Sequence, residues 1–177
     1  MKIDMNEPAI ALDHLSKSYG NVHAVQDLSL TIEAGTIFGF LGPNGAGKTT
    51  TMRMLCGLTH PSSGHARIES ADTWIDRQKV RIKFGYVPQS FSLYRDLTVL
   101  ENFRFFAGAY GVPGARMEER IDRLIRVVDL QEKRDATADN LSGGMRQLLA
   151  IGCALVHSPS VLFLDEPTAG LDPVAAR

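Results

Sequence analysis

The sequence predicts an α/β fold with a parallel central sheet, an antiparallel β edge and a mostly helical subdomain. Short segments of alternating polarity near the N-terminus indicate edge strands, and a compact apolar run that ends in a glycine-rich loop indicates a buried strand. In the second half, apolar residues recur at helical spacing before a last apolar run returns to a strand. Strands that alternate with helices in this way are typical of a parallel sheet.

The composition suits one compact domain. The chain has 177 residues, of which 44% are hydrophobic and 22% are charged, so it is long enough to bury a substantial core. The formal net charge of −1 gives no reason to expect a surface for nucleic acid, which requires clustered Lys and Arg. Cys56 and Cys153 lie far apart in apolar stretches, so we expect buried core residues and a reducing compartment.

The sequence shows no signal peptide and no run of eighteen apolar residues. We therefore expect a chain that neither crosses a membrane nor is exported. A partner could still hold it at a membrane surface.

The first elements are expected to be strands. Residues 10–15 and 28–32 alternate in polarity, with polar residues between them, and predict the antiparallel edge. Residues 36–41 predict a fully buried strand that runs into the glycine-rich loop. The helix that follows this loop has apolar positions at helical spacing: Met52, Leu55 and Cys56.

A second series of elements follows. Residues 84–87 predict a short strand closed by Pro88, and helical character begins at Gln89. Helices are expected at residues 99–110, around Ile121, Leu124, Ile125 and Val128, and after the capping residue Ser142. Residues 161–164 predict the last buried strand.

The glycine-rich loop carries a phosphate-binding pattern. Residues 42–49 match G-x-x-x-x-G-K-[ST] between a predicted strand and a predicted helix, and this context disfavours a chance glycine turn. The glycines let backbone N–H groups converge on one point, and the helix start adds a positive dipole end. We expect Lys48 to reach the β- and γ-phosphates of a nucleoside triphosphate and Thr49 to bind Mg²⁺. The predicted nucleotide-binding residues here are Gly42, Pro43, Asn44, Gly45, Ala46, Gly47, Lys48, Thr49 and Thr50.

Two adjacent acids follow the last predicted strand. Asp165 and Glu166 stand at its C-terminal end, where open α/β sheets place their ligands. Asp165 is suited to bind Mg²⁺, and Glu166 is suited to polarise a water for attack on the γ-phosphorus. Taken alone, this pattern is also compatible with an ordinary strand end, and the phosphate loop upstream decides for the functional interpretation.

A second glycine motif starts the helix after residue 142. Ser142, Gly143 and Gly144 leave bare backbone N–H groups at a helix N-terminus, which predicts a second anion site. Since the chain already has a phosphate loop, we expect this site to serve a nucleotide held by another subunit in a paired assembly.

The sequence resembles the ATP-binding cassette (ABC) transporter family in five motifs that occur in the family's order. They are the phosphate loop, Gln89 after a short strand, the Leu-Ser-Gly-Gly motif, the strand ending in Asp-Glu, and residues 169–172. The resemblance covers nearly the whole chain from about residue 10 onwards. It implies a P-loop NTPase core and the cofactors ATP and Mg²⁺. The resemblance also implies that Tyr19 stacks on adenine, and that Gln89 binds Mg²⁺ and senses the γ-phosphate. It implies that Asp172 communicates across the dimer. The residues that it implies for contact with the partner's ATP are Leu141, Ser142, Gly143, Gly144 and Met145. Tyr19 is equally compatible with a core position.

The resemblance also implies an organisation. Residues 1–177 are expected to form a single ABC ATP-binding domain, with a nucleotide-binding core at 1–88 and 141–177 and a helical subdomain at 89–140. The partners are expected to be a second ATP-binding subunit, as a homo- or heterodimer, and integral-membrane transport subunits, with no nucleic acid. The subunit would then be cytoplasmic and peripheral on the inner face of the cell membrane.

Two features refine the branch and the extent of the chain. Met145, where many members have glutamine, and residues 92–102 are similar to exporters of the ABC-2 and drug-resistance type, which favours export. The family has a switch histidine about thirty residues beyond the catalytic glutamate, whereas this sequence ends at Arg177 and all five of its histidines precede Glu166. We therefore expect a chain that is incomplete at its C-terminus.

Several alternatives remain open in the sequence. The same cassette occurs in ATPases that act on nucleic acid or ribosomes, although this chain lacks a basic stripe and room for coiled-coil arms. The chain could also bind ATP without hydrolysing it. The aromatic residues of the helical part could contact a membrane partner or form that lobe's own core: Phe103, Phe105, Phe106 and Tyr110.

Overall fold

The computed structural model describes residues 7–89 and 93–166. The chain divides into two compact units, residues 1–84 and residues 85–177. Among the described residues, no helix has the length and apolar character that a membrane span requires.

The first unit contains a four-stranded sheet in the order β2-β1-β3-β4, and its strand pairs are antiparallel. Its elements are β1 (Ile10–Tyr19), β2 (Val22–Ile32), α1 (Lys48–Leu55), β3 (Ser63–Ile68), β4 (Ala71–Asp72) and α2 (Arg77–Arg81). Leu15, Met54 and Ile68 are fully buried in its core. The expected antiparallel edge and the helix after the glycine-rich loop are both confirmed.

The two edge strands are longer than the polarity pattern predicts. Their ladder continues from Leu15 through Lys17 to Tyr19, so only Gly20 and Asn21 form the turn. Polar side chains on an exposed strand face do not prevent backbone pairing, which explains the difference. The sequence does not predict β3 and β4, because the pairing of β3 with β1 and of β4 with β3, rather than a strong local pattern, defines these strands.

The expected buried strand at residues 36–41 is wrong. These residues form neither helix nor strand, and Ile37 and Leu41 are 101% and 93% exposed. A compact apolar run indicates a central strand only where neighbouring strands and covering layers bury it. Within the described residues this segment belongs to no sheet, so most of its side chains face solvent.

The second unit contains the strand pair β5 and β6 and a helical series between them. Its elements are β5 (Phe84–Val87), α3 (Val99–Ala109), α4 (Gly114–Val127), α5 (Gly143–Leu155) and β6 (Val161–Leu164). Two 3₁₀ turns, Gln131–Lys133 and Ala138–Asn140, lie between α4 and α5. Every helix and strand predicted for this part is present, but β6 is less buried than expected: Phe163 is its one buried residue, and Leu164 is 37% exposed. The expectation of a fully buried last strand is therefore wrong for the described residues.

Capping interactions determine where α3 begins. The Thr98 hydroxyl accepts from the Glu101 N–H, and the Glu101 carboxylate accepts from the Thr98 N–H at 2.8 Å. This backbone hydrogen bond lowers the pKa of Glu101. The buried Asn102 side chain donates to the carbonyls of Tyr94, Leu97 and Thr98, so it holds the loop that enters the helix.

The core of the second unit lies among α3, α4 and α5. Phe103, Ile121 and Leu149 are fully buried there, and the stripe around Ile121 faces inward as its spacing predicts. Cys153 is buried as expected, and its burial raises the pKa of its thiol. Cys56 in the first unit is only partly buried.

Close packing at Gly152 gives a stability prediction. A Cβ at this position would lie 2.6 Å from Cζ of Phe103, a fully buried ring. We expect Gly152→Ala to overpack the core and to lower the free energy of unfolding by about 1–3 kcal/mol. Gly108→Ala on α3 is the matched control, because a Cβ there meets no atom within 4 Å. Urea unfolding checks both variants, and equal transition midpoints would contradict the prediction.

Candidate functional site

The phosphate loop requires glycine at two positions. Gly45 and Gly47 both have φ of 84°, in the left-handed region that side chains disfavour. Gly47 is also the N-cap of α1, and a Cβ there would lie 2.3 Å from the carbonyl oxygen of Ala24 on β2. The loop therefore lies directly against the backbone of the sheet, and α1 begins where that contact places it.

Lys48 lies over the loop that precedes it. Its ammonium donates to the carbonyl oxygens of Gly42 at 2.6 Å and Pro43 at 2.9 Å. The side chain is half-buried and is the first residue of α1, so a positive charge lies beside the helix N-terminus. An anion bound at this loop would meet both the ammonium and the N–H groups of the first turn.

The neighbouring hydroxyl residues differ in exposure. Thr49 is exposed and Thr50 is half-buried, so solvent reaches the position from which Thr49 would bind a metal ion. Thr51 is buried, and its hydroxyl has no hydrogen-bond partner among the described residues. Thr51 lines a cavity of about 330 Å³ that β2 and the phosphate loop share, together with Val25, Phe40 and Ala46.

Tyr19 lies at the end of β1 and is 49% exposed, so it is not a core residue. The Lys17 ammonium lies 5.0 Å from the centre of its ring. An exposed ring at a strand end is available for stacking, although Tyr19 is not among the residues that line the cavity beside the loop.

In the second unit, two hydrogen bonds join β5 to the acids after β6. The Tyr86 hydroxyl donates to Oδ2 of Asp165 at 3.2 Å, and Nε2 of Gln89 donates to Oε2 of Glu166 at 2.7 Å. The Asp165 N–H also donates to the carbonyl of Val87 at 3.0 Å, so strand pairing continues to the first acid. The structure thus brings together three predicted site residues: Gln89, Asp165 and Glu166.

The two acids have different environments. Asp165 is 8% exposed, whereas Glu166 is exposed and has φ of 50°. The left-handed backbone at Glu166 turns the chain out of the strand direction immediately after Asp165. A buried carboxylate with an oriented hydrogen bond suits metal binding, and an exposed carboxylate suits contact with water.

The second glycine motif forms a capped helix start. The Ser142 hydroxyl accepts from the Met145 N–H at 3.2 Å, as its N-cap position predicts. The Leu141 side chain is buried, and a Cβ at Gly143 or Gly144 would meet no atom within 4 Å. The motif therefore presents an open backbone surface that the core holds from behind.

Sequence reasoning missed two residues that support these groups. The Arg146 guanidinium donates to the carbonyls of Leu141 at 2.6 Å and Asp139 at 3.3 Å, which fixes the turn before Ser142. The sequence identifies Tyr86 only as a residue of a predicted strand. Its position three residues before Gln89 indicates that it lies near the predicted site. The strand pairing is needed to show that its hydroxyl contacts Asp165. Asp172 and the rest of its motif lie outside the described residues.

Comparison with known proteins agrees with this arrangement. A profile of the ABC transporter family matches residues 25–169. The probable multidrug ABC transporter ATP-binding protein YbhF of Escherichia coli strain K12 is 43% identical over 171 residues, which are 97% of this chain and 30% of that protein. Nod factor export ATP-binding protein I of Ralstonia nicotianae is 42% identical over 168 residues, which are 95% of this chain and 52% of that protein.

Solved structures show the same fold. The ATP-binding subunit of an ABC transporter has a TM-score of 0.83 at 32% identity, and the match covers 95% of this chain and 70% of that one. The protein cbiO1 from Clostridium perfringens, part of the ABC transporter complex cbiONQ, has a TM-score of 0.87 at 30% identity, covering 96% and 70%. This chain belongs to the ABC transporter family, and its α/β, P-loop NTPase-like fold is confirmed. It spans only about a third to a half of those two curated relatives, 30% and 52% of their lengths.

The loop geometry predicts unequal effects at its two left-handed glycines. Gly45→Ala should cost about 1–2 kcal/mol of unfolding free energy through backbone strain alone, because its Cβ would enter open space. Gly47→Ala should cost clearly more, because its Cβ would collide with the Ala24 carbonyl. Chemical denaturation of the two variants checks this order. Equal losses would mean that the close approach does not constrain the loop.

Proposed function

We propose that this chain is the ATP-binding and ATP-hydrolysing part of an ABC transporter subunit, in which ATP-driven dimer closure is coupled to transport. The observation that carries the proposal is the phosphate loop, where left-handed glycines, a helix N-terminus and the Lys48 ammonium converge. Lys48 would exchange the carbonyls of Gly42 and Pro43 for phosphate oxygens, which are stronger acceptors for an ammonium.

The residue roles follow from the local chemistry. We assign Thr49, Gln89 and Asp165 to Mg²⁺, because hydroxyl, amide and carboxylate oxygens are the hard donors that this ion prefers. The described residues contain no cluster of three His, Cys, Asp or Glu side chains that could hold a metal. The Mg²⁺ would be held by few protein groups together with nucleotide phosphates, and it would neutralise developing charge. Glu166 would accept a proton from the attacking water.

The second glycine motif supports a paired assembly. Its open N–H groups and capping Ser142 suit a phosphate held by another subunit, either a second copy or a related chain. Leu141 to Met145 and Asp172 are assigned to this contact. Tyr19 is assigned to the adenine ring, because its exposure permits stacking.

Export through a membrane partner is the transport that the relatives favour. Two of them are named for multidrug transport and for Nod factor export. In the second unit, the rings of Tyr94, Phe105 and Phe106 form an aromatic cluster, with the first two ring centres 4.4 Å apart. Tyr94 and Phe105 are 47% and 45% exposed, whereas Phe103 is fully buried, so part of the aromatic run is core and part is surface. We assign the exposed part to a membrane subunit, which would hold the chain on the cytoplasmic face.

Two substitutions test the ATP site. Lys48→Ala should weaken ATP binding by about 10-fold or more, because it removes the charged donor to phosphate. Glu166→Gln should keep ATP binding and lower phosphate release by about 100-fold or more, because it removes the proton acceptor. Titration with a fluorescent ATP analogue and a phosphate-release assay measure the two effects. The control is Lys79→Ala, since the exposed Lys79 side chain pairs only with the half-buried Asp76 among the contacts of the described residues.

Equal loss of ATP binding in Lys48→Ala and Glu166→Gln would contradict these roles. ATP binding by the unmodified protein without any phosphate release would support binding without turnover instead.

The exposed aromatic cluster predicts a partner contact. Phe105→Ser should weaken co-purification with the membrane subunit by about fivefold or more, since buried aromatic anchors dominate interface energies. Val127→Ser is the matched control, because Val127 is also an exposed apolar residue of the second unit, at 67%. Equal recovery of the partner with both variants would contradict the assignment.

A further inference from the structure

Tyr86 lies on β5, Asp165 directly follows the paired strand β6, and their side chains contact each other. The Tyr86 hydroxyl donates to Oδ2 of Asp165 at 3.2 Å, and the Asp165 N–H donates to the Val87 carbonyl at 3.0 Å. The backbone bond fixes the start of the Asp165 side chain, and the phenol contacts its end. Asp165 is thus held by one hydrogen bond to its backbone and by a second one to its carboxylate.

This contact matters because Asp165 is 8% exposed. A buried carboxylate is costly unless hydrogen bonds compensate for lost water, so the phenol helps to keep it in place. The Tyr86 hydroxyl contacts one of the two carboxylate oxygens of Asp165. Its engagement of Oδ2 leaves Oδ1 as the oxygen that can be directed to a cation or to its water shell.

We propose that Tyr86 is a positioning residue for the Mg²⁺-nucleotide complex, acting through Asp165. The inference rests on the proposed function, because it assigns Asp165 to the Mg²⁺ that accompanies ATP. Hydrogen-bond partners of metal ligands fix ligand orientation, and their loss typically lowers metal affinity by about 10- to 100-fold. The long hydrogen bond of 3.2 Å places the expected effect of Tyr86 near the lower end.

The test separates magnesium-dependent from magnesium-independent binding. A fluorescent ATP analogue is titrated into the protein in excess Mg²⁺ and again in EDTA, and the ratio of the two affinities is the readout. Tyr86→Phe should lower this ratio by about 10-fold while leaving the affinity in EDTA unchanged, because the ring remains and only the hydroxyl is lost. Asp165→Asn should lower the ratio at least as far.

Tyr110→Phe is the matched control. Tyr110 is a half-buried tyrosine of the same unit whose ring stacks on His157 at 3.7 Å between ring centres. Its loss of a hydroxyl should leave the ratio unchanged. Thermal unfolding of each variant in EDTA reports any loss of stability separately.

The ratio of the two affinities also shows which results would contradict the positioning role. An unchanged ratio in Tyr86→Phe, or an equal fall in both affinities, would overturn the positioning role. Failure of the unmodified protein to bind the analogue under either condition would overturn the proposed function, and this inference with it. Binding by the unmodified protein that Mg²⁺ does not strengthen would overturn the inference alone.

Discussion

The close approach of Gly47 to the Ala24 carbonyl is the constraint on which the phosphate loop and the start of α1 depend. A left-handed glycine lets the loop pass within a distance of β2 that any side chain would prevent. This contact determines where α1 begins, and the start of α1 determines the directions of its first N–H groups and of Lys48. The proposed anion site is therefore a consequence of backbone packing, and the charged side chain would add to it.

In the second unit, strand pairing has a comparable role. The β5–β6 pair places a phenol and an amide from one strand end opposite two consecutive acids from the other. The two donors engage different acids, of which Asp165 is buried and Glu166 is exposed. A strand end with two acids thus acquires two distinct chemical environments, which is what separate roles in metal binding and water activation require.

The Leu-Ser-Gly-Gly motif shows how a surface of bare backbone can be rigid. Leu141 anchors it in the core, Ser142 caps the helix and Arg146 holds the carbonyls of the preceding turn. Side chains that point away from the proposed ligand therefore stabilise the N–H groups that would face it. This division explains why glycine is suited to the exposed positions and why an apolar residue precedes them.

The motifs with local chemistry are predictable from residue order alone: the phosphate loop, the Ser142 cap, the acids at a strand end and the helical stripe around Ile121. These depend on residue type and on spacing within one element, so a single sequence is sufficient to predict them. Three features emerge from the folded structure: residues 36–41 lie outside the sheets of the described residues, β3 pairs with β1, and the Tyr86 hydroxyl contacts Asp165. The physical reason is that burial and strand pairing join residues distant in sequence, and local polarity carries no information about which distant residue will be the neighbour.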